Sequence, residues 1–415
     1  MENILKVSKG KLEGKVRISG AKNSALRLLA ASILTDENVE LYNFPNGLLD
    51  VQVHLEMLKV LGKQYSILED YVKITESDEN TTTILNWHER SIRNTLLILG
   101  ALTTRFGEGR VPLPGGCKLG ERKYDLHVML LERLGAKVWE EEGFLCAKVD
   151  GGRLKGNDIY LPMRSTGATE NGIITGVLAN GKTTVWGPHI RPEIMDLIDM
   201  LTKMGAKIKV FGQQRIEIEG VKKLSAVRHS VILDNMEALT WAIGSVITNG
   251  DVEIEGFPMD HLEVPLIFLK ESGIKIYRGA NSVIVRGGTP YPVEISTGPY
   301  PGINSDMQPL FAVYGAVTKG ESKIVDLRFP GRYGYAEELA KMGVKYRVKG
   351  DLLIIDGGEK LYGAKVTALD LRAGIALLLA GLTAEGETII ENSWQIGRGY
   401  EYIDKKLKDL GVKLI

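Results

Sequence analysis

The chain has 415 residues, with 52 Lys+Arg against 52 Asp+Glu and two cysteines. A formal charge of zero excludes broad steering to nucleic acid or anionic lipid, so an anionic ligand must be met by a local cluster of cations. Two cysteines in unlike surroundings exclude a disulfide framework and fit a reducing cytoplasm, and no apolar run is long enough to span a bilayer. The length predicts two or three domains with ample core. At the N-terminus, M-E-N-I-L-K-V-S-K-G-K carries charge where a signal peptide needs an apolar stretch. Two strand-like runs, I-L-K-V and K-V-R-I-S, come before the first helix.

From there the sequence repeats one unit. A helix that ends in glycine and runs into a strand recurs at Gly62, Gly135, Gly205, Gly273, Gly343 and Gly411, about 70 residues apart. Glycine just past a helix is the left-handed cap, and the alternating apolar residues after it start a strand. An earlier, almost wholly apolar helix recurs over Asn23–Leu34, Ser91–Thr103, Gly167–Ala179, Met236–Thr248, Met307–Thr318 and Leu371–Thr383. Each is followed by a polar turn and a strand, such as K-T-T-V-W or D-V-E-I-E. Alternation of this kind predicts an α/β architecture with helices buried against sheet. Six units could form one solenoid or two three-unit domains, and domain-size limits favour two. The predicted division gives 22–230 to one domain and 1–21 with 231–415 to the other, with a cleft between them. The last unit is expected to end in a strand, and the N-terminal strands to complete the second domain.

The stretch with most chemistry is L-P-G-G-C-K-L-G-E-R-K-Y-D-L-H, Leu113–His127. Cys117 sits among three glycines with Arg122 and Lys123 close behind, and nearby cations favour the thiolate. It reads either as a reactive thiol on a mobile lid or as a small buried hydrophobe. Cys146, in G-F-L-C-A-K-V, reads as a core strand residue. The heads of the repeated helices carry Lys22, Arg93, Arg164 and Arg372, where free N–H groups and the dipole attract anions. Arg332 and Arg398 lie between glycines and aromatics, in F-P-G-R-Y and I-G-R-G-Y. Any one of these arginines is explained by a surface ion pair; the set points to an anionic ligand. Asp306, in N-S-D-M-Q, reads as a helix cap or as a general base; Asp370 has the same two readings, with a supporting role preferred. The six His show no metal spacing, and no phosphate-cradling or dinucleotide motif is present, so neither metal nor organic cofactor is expected.

On these motifs the chain resembles the enolpyruvyl transferases, in the branch that acts on a UDP-sugar. The resemblance covers essentially the whole chain and rests on S-G-A-K-N at Ser19–Asn23, the Cys loop through His127 and S-x-G-A-T at Ser165–Thr169. D-M-Q at Asp306–Gln308, D-L-R-A at Asp370–Ala373 and R-G-Y-E at Arg398–Glu401 complete it. It implies a pair of inside-out α/β barrels with three units each. It also implies transfer of the enolpyruvyl group of phosphoenolpyruvate to the 3-hydroxyl of UDP-N-acetylglucosamine, with release of phosphate through a tetrahedral intermediate. By the same resemblance, Lys22, Arg122 and Arg398 would hold phosphoenolpyruvate, and Arg93, Arg332 and Arg372 would line that pocket. Cys117 would protonate the methylene carbon, and would be alkylated by fosfomycin. Asp306 would take the proton of the attacking hydroxyl. Asn23, Arg122, Lys123, Tyr124, Asp125, Leu126, Ser165, Thr166, Gly167, Ser305, Asp306 and Phe329 would meet the acceptor.

Five residues, in four places, depart from the family pattern. Lys123 and Tyr124 replace Pro and a small apolar residue, Asn235 an Arg, Met163 a Lys and Ser305 a Thr. All lie on or near the acceptor side. They motivate a second reading, a paralogue using another nucleotide or nucleotide sugar. The Cys loop separates the chain from the shikimate branch. A non-catalytic relative would have lost Lys22, Cys117, Asp306 or Arg398. The same repeat unit occurs in RNA 3′-phosphate cyclases, but a neutral chain without basic tracts argues against RNA.

Overall fold

In a computed structural model, residues 4–77, 81–90, 92–114 and 124–413 are described. The backbone divides into two compact units, Gly20–Ile232 and Met1–Ser19 with Leu233–Ile415. Both mix helices and strands.

In the first unit, the described residues form three sheets. One runs in the order Val227–Ser230, Val39–Tyr42, Tyr71–Glu76, Lys63–Leu68. The second runs Glu108–Pro112, Phe144–Val149, Ala136–Glu141, and the third Lys207–Phe211, Arg215–Glu219, Lys182–Trp186, Asp158–Tyr160. Helices Lys22–Ala31, Thr95–Phe106 and Thr166–Gly176 are buried almost all round, as their small apolar sequences require. Gly100 lets two of these helices approach: a Cβ there would stand 1.8 Å from Asn171 Oδ1. Two buried polar pairs fix helix register. Asn94 Nδ2 donates to His54 Nδ1 at 3.0 Å, and Asn171 Nδ2 to His127 Nδ1 at 3.1 Å.

The second unit also has three sheets among its described residues. Leu5–Ser8 pairs antiparallel with Glu387–Glu391, which pairs parallel with Lys365–Thr367. Glu13–Arg17 runs parallel to Asp251–Glu255, with Val16 opposite Ile254. The third sheet runs Glu294–Ser296, Gly320–Val325, Leu352–Gly357, Lys345–Lys349. Alternation decides the faces: Val252 and Ile254 are buried, while Asp251, Glu253 and Glu255 point outward. Helices Asn235–Ile247, Gln308–Val317 and Leu371–Thr383 form the core, with Trp241, Phe311 and Tyr314 fully buried.

The six repeated glycines all adopt positive φ, between 79° and 100°, which explains their use at helix ends. Two details differ from the sequence reading. No strand follows Gly411 as far as Lys413. The second repeated helix begins at Thr95, because Ile92–Asn94 precede it in non-helical backbone and a turn, with the Asn94 amide bonded to Leu26 O and His54. No helix among the described residues is long and apolar enough to cross a membrane.

Candidate functional site

The described residues singled out in the sequence fall in both units. In the first unit, Lys22 opens the helix Lys22–Ala31 and is 7% exposed. Its Nζ lies 2.8 Å from Asp50 Oδ2, and the other carboxylate oxygen takes Arg90. Asp50 lies in the first turn of helix Leu49–Val60 and is 3% exposed. The sequence reading missed it, since its partners lie 28 and 40 residues away in the chain. Asn23 follows Lys22 on the same helix and is half-buried.

The acceptor segments predicted from the first unit are adjacent in space. Tyr124 precedes helix Asp125–Arg133, and its hydroxyl donates to Glu140. That hydrogen bond, helped by burial, raises the Tyr124 phenol above its usual range. Asp125 is exposed and Leu126 half-buried. Ser165 caps the helix Thr166–Gly176, accepting from Ala168 N at 3.3 Å. Gly167 faces His127: a Cβ would stand 3.1 Å from His127 Nε2. Thr166 Oγ1 lies 2.9 Å from His189 Nδ1. Burial, with a smaller push from Arg93, holds the His127 imidazole down at about 3. His127 is therefore neutral, and its position fixes the spacing of the two segments. Met163 and Arg164 are exposed just before them.

In the second unit a tight ionic cluster forms around Asp306, which lies in the turn before helix Gln308–Val317 and does not cap it. Arg332 Nη1 lies 2.9 Å from Asp306 Oδ1, and Arg332 Nη2 lies 3.2 Å from Asp370 Oδ2. Arg372 Nε approaches Asp306 Oδ2 at 3.4 Å. Asp370 also caps its helix, accepting from Arg372 N at 2.7 Å and Ala373 N at 2.8 Å. Burial works against the Arg332 charge, but Asp306 and Asp370 raise its pKa above the usual value. Arg372 is 2% exposed, and its Nη1 lies 3.3 Å from the Tyr400 hydroxyl. Ser305 Oγ and the Phe329 ring flank Arg332, at 3.4 Å and at 5.8 Å from ring centre to guanidinium. Arg398 ends a short 3-10 helix, Ser393–Arg398, and donates to Gln395 Oε1 at 3.0 Å. Asn235, 6% exposed, opens the helix capped by Asp234.

Cys117, Arg122 and Lys123 lie outside the described residues. Cys146 is fully buried in strand Phe144–Val149, and burial pushes its thiol up. No group of three or more His, Cys, Asp or Glu among the described residues could hold a metal ion.

Two arginines meet on the Asp306 carboxylate, and a lysine is held on that of Asp50. Residues 7–407 match the sequence profile of the EPSP synthase (3-phosphoshikimate 1-carboxyvinyltransferase) family. The chain belongs to this family of enolpyruvyl (1-carboxyvinyl) transferases. It is 41% identical over its whole length to UDP-N-acetylglucosamine 1-carboxyvinyltransferase 2 of Carboxydothermus hydrogenoformans, covering 99% of that protein. It is 39% identical, again over the whole chain and 99% of the relative, to UDP-N-acetylglucosamine 1-carboxyvinyltransferase of Actinobacillus succinogenes. Among solved structures, the enolpyruvyl transferase NikO from Streptomyces tendae superposes with a TM-score of 0.88 at 25% identity, over 99% of this chain and 98% of that one. EPSP synthase from Acinetobacter baumannii shares the fold, with a TM-score of 0.78 at 19% identity over 100% of this chain and 99% of that one.

Proposed function

We propose that this chain transfers the enolpyruvyl group of phosphoenolpyruvate to the 3-hydroxyl of UDP-N-acetylglucosamine, releasing phosphate. That reaction commits a nucleotide sugar to peptidoglycan. The observation that carries the reading is the 39–41% identity, over the entire chain, to enzymes named for this transfer. The finer architecture of the reading is a pair of inside-out α/β barrels with three repeats each, acting in the cytoplasm, with residues of both units serving one reaction.

The chemistry assigned to the residues follows from their charge and placement. Phosphoenolpyruvate brings phosphate and carboxylate, and several fixed cations are needed to desolvate them. Lys22, Arg93, Arg122, Arg332, Arg372 and Arg398 are that set. Asp306 accepts the proton of the attacking hydroxyl while Arg332 and Arg372 fix its orientation. Cys117 delivers a proton to the methylene carbon as the hydroxyl oxygen bonds to the adjacent carbon in the tetrahedral adduct; loss of phosphate together with a proton of the new methyl group then forms the enol ether. No step calls for a cofactor. On the acceptor side, Asn23, Tyr124, Asp125, Leu126, Ser165, Thr166, Gly167, Ser305 and Phe329 hold the nucleotide sugar, with Lys123 beside them.

A second reading keeps the reaction and changes the acceptor to a different nucleotide or nucleotide sugar. Met163, Tyr124, Lys123 and Asn235, together with the fold likeness to NikO, favour it. Mass spectrometry of the nucleotide product separates the two. An enolpyruvyl ether of UDP-N-acetylglucosamine, formed in preference to any other uridine nucleotide adduct, is expected. An adduct formed only on a different nucleotide would replace the first reading with the second.

A further inference from the structure

Asp326 follows the strand Gly320–Val325 and is fully buried. Its carboxylate gathers hydrogen bonds from three separate segments. Oδ1 accepts from Thr297 Oγ1 at 2.8 Å, Arg328 N at 2.9 Å and Phe329 N at 3.0 Å. Oδ2 accepts from Ser305 Oγ at 2.6 Å and Gln308 Nε2 at 3.3 Å. A buried carboxylate is costly unless its lone pairs are filled, and these donors fill them. Capping the turn at Arg328 and Phe329 would need only Oδ1. The reach of Oδ2 to Ser305 and Gln308 is a second job.

Ser305 and Gln308 bracket Asp306, and Gln308 Nε2 also donates to Arg332 O at 2.9 Å. The Tyr335 hydroxyl donates to the same glutamine's Oε1. One carboxylate thus ties down both sides of the Asp306–Arg332 contact: the turn that carries the aspartate and the loop that carries the arginine. We propose that Asp326 is a positioning residue that sets Asp306 within reach of the acceptor hydroxyl. The proposal rests on the reading of Asp306 as the general base. Proton abstraction needs hydrogen-bond contact, and misplacement by about 1 Å costs on the order of a hundredfold in rate.

The test is kinetic, with phosphoenolpyruvate and UDP-N-acetylglucosamine. Asp326→Asn keeps the side-chain volume but puts an amide where Ser305 and Gln308 both donate. Expected is a kcat about ten- to a hundredfold lower, with KM for phosphoenolpyruvate within about threefold of the parent. In an Asp306→Asn background, Asp326→Asn should cost no further turnover, because a base that is gone cannot be misplaced. Parent-like kcat in Asp326→Asn, or losses that multiply in the double variant, would overturn the proposal. If Asp326→Asn fails to fold, Ser305→Ala removes one of the same hydrogen bonds; its kcat should fall at least threefold, and parent-like turnover sinks the idea. Full turnover of Asp306→Asn would instead remove the base reading itself, an outcome distinct from failure of Asp326 alone.

Discussion

Arg332 and Asp306 face each other at 2.9 Å through Nη1 and Oδ1, while the far side of the same guanidinium holds Asp370 at 3.2 Å. The arginine therefore fixes the orientation of the Asp306 carboxylate, as the proposed role of proton acceptor requires. Replacing Asp306 by Asn keeps the shape and removes the basicity. Turnover should fall by about a hundredfold or more, the usual worth of a positioned general base, with substrate binding retained. Steady-state kinetics with both substrates checks this, and a turnover within twofold of the parent would contradict it.

Lys22 and Asp50 form a nearly dry ion pair, 7% and 3% exposed. Removing one partner of such a pair leaves a buried charge and costs about 3–5 kcal/mol. Asp50→Asn should lower the melting temperature. Phosphoenolpyruvate, which brings its own negative charge to Lys22, should recover more stability in the variant than in the parent. Thermal unfolding with and without the substrate reads both effects. Equal shifts in the two proteins would separate Lys22 from the phosphoenolpyruvate site.

Gly100 has no room for a methyl group, since a Cβ would overlap Asn171 Oδ1 at 1.8 Å. Gly100→Ala must push two buried helices apart or displace the amide that orients His127. Overpacking of this kind costs about 1–3 kcal/mol. Denaturant unfolding should show that loss, and unchanged stability would mean that the two helices do not meet there.

Much of the fold was legible in the sequence. Gly62, Gly135 and their four counterparts fixed where helices end, because a positive φ admits few other residues. The apolar helices announced their burial by having no polar stripe. In the site, Arg332 and Arg398 stood out because cations between glycines and aromatics are poorly explained as solvated surface, and Arg372 and Asp306 because they lie at the heads of apolar helices. Asp50 and Asp326 did not stand out, because their partners lie far away in the chain. Asp50 meets Lys22 and Arg90, and Asp326 meets Thr297 and Ser305, contacts that no local pattern encodes. The expected C-terminal strand does not begin before Lys413, although the residues after Gly411 alternate as a strand would.

His54 and His127 are both buried and held neutral, each with its pKa pushed down to about 3 by burial first and by a nearby arginine second. In the unfolded chain they titrate near about 6.5. Between those values the unfolded state binds more protons, so stability is fully present above about pH 6.5 and is lost as pH falls toward 3. Each histidine contributes a slope of up to about 1.4 kcal/mol per pH unit. Denaturation midpoints should fall from pH 7 to pH 5, and less steeply in His127→Asn. A flat profile in the parent would contradict the neutral, buried assignment.

The two cysteines should differ sharply toward fosfomycin. Cys146 is sealed in a strand and its thiol is pushed up, so the thiolate is scarce there. Peptide mapping by mass spectrometry should place the adduct on Cys117, and Cys117→Ser should bind both substrates yet lose most turnover. Modification at Cys146 alone would remove Cys117 from the mechanism.

The central claim is the transfer itself, and phosphate release measures it most directly. Phosphoenolpyruvate is incubated with the protein and UDP-N-acetylglucosamine, beside a panel of other uridine nucleotides and UDP-sugars. The account predicts stoichiometric phosphate with UDP-N-acetylglucosamine, at a kcat/KM above that of every other acceptor. Release with another nucleotide and none with UDP-N-acetylglucosamine would contradict it, and would make Lys123, Tyr124, Met163 and Asn235 the residues that redirect the reaction.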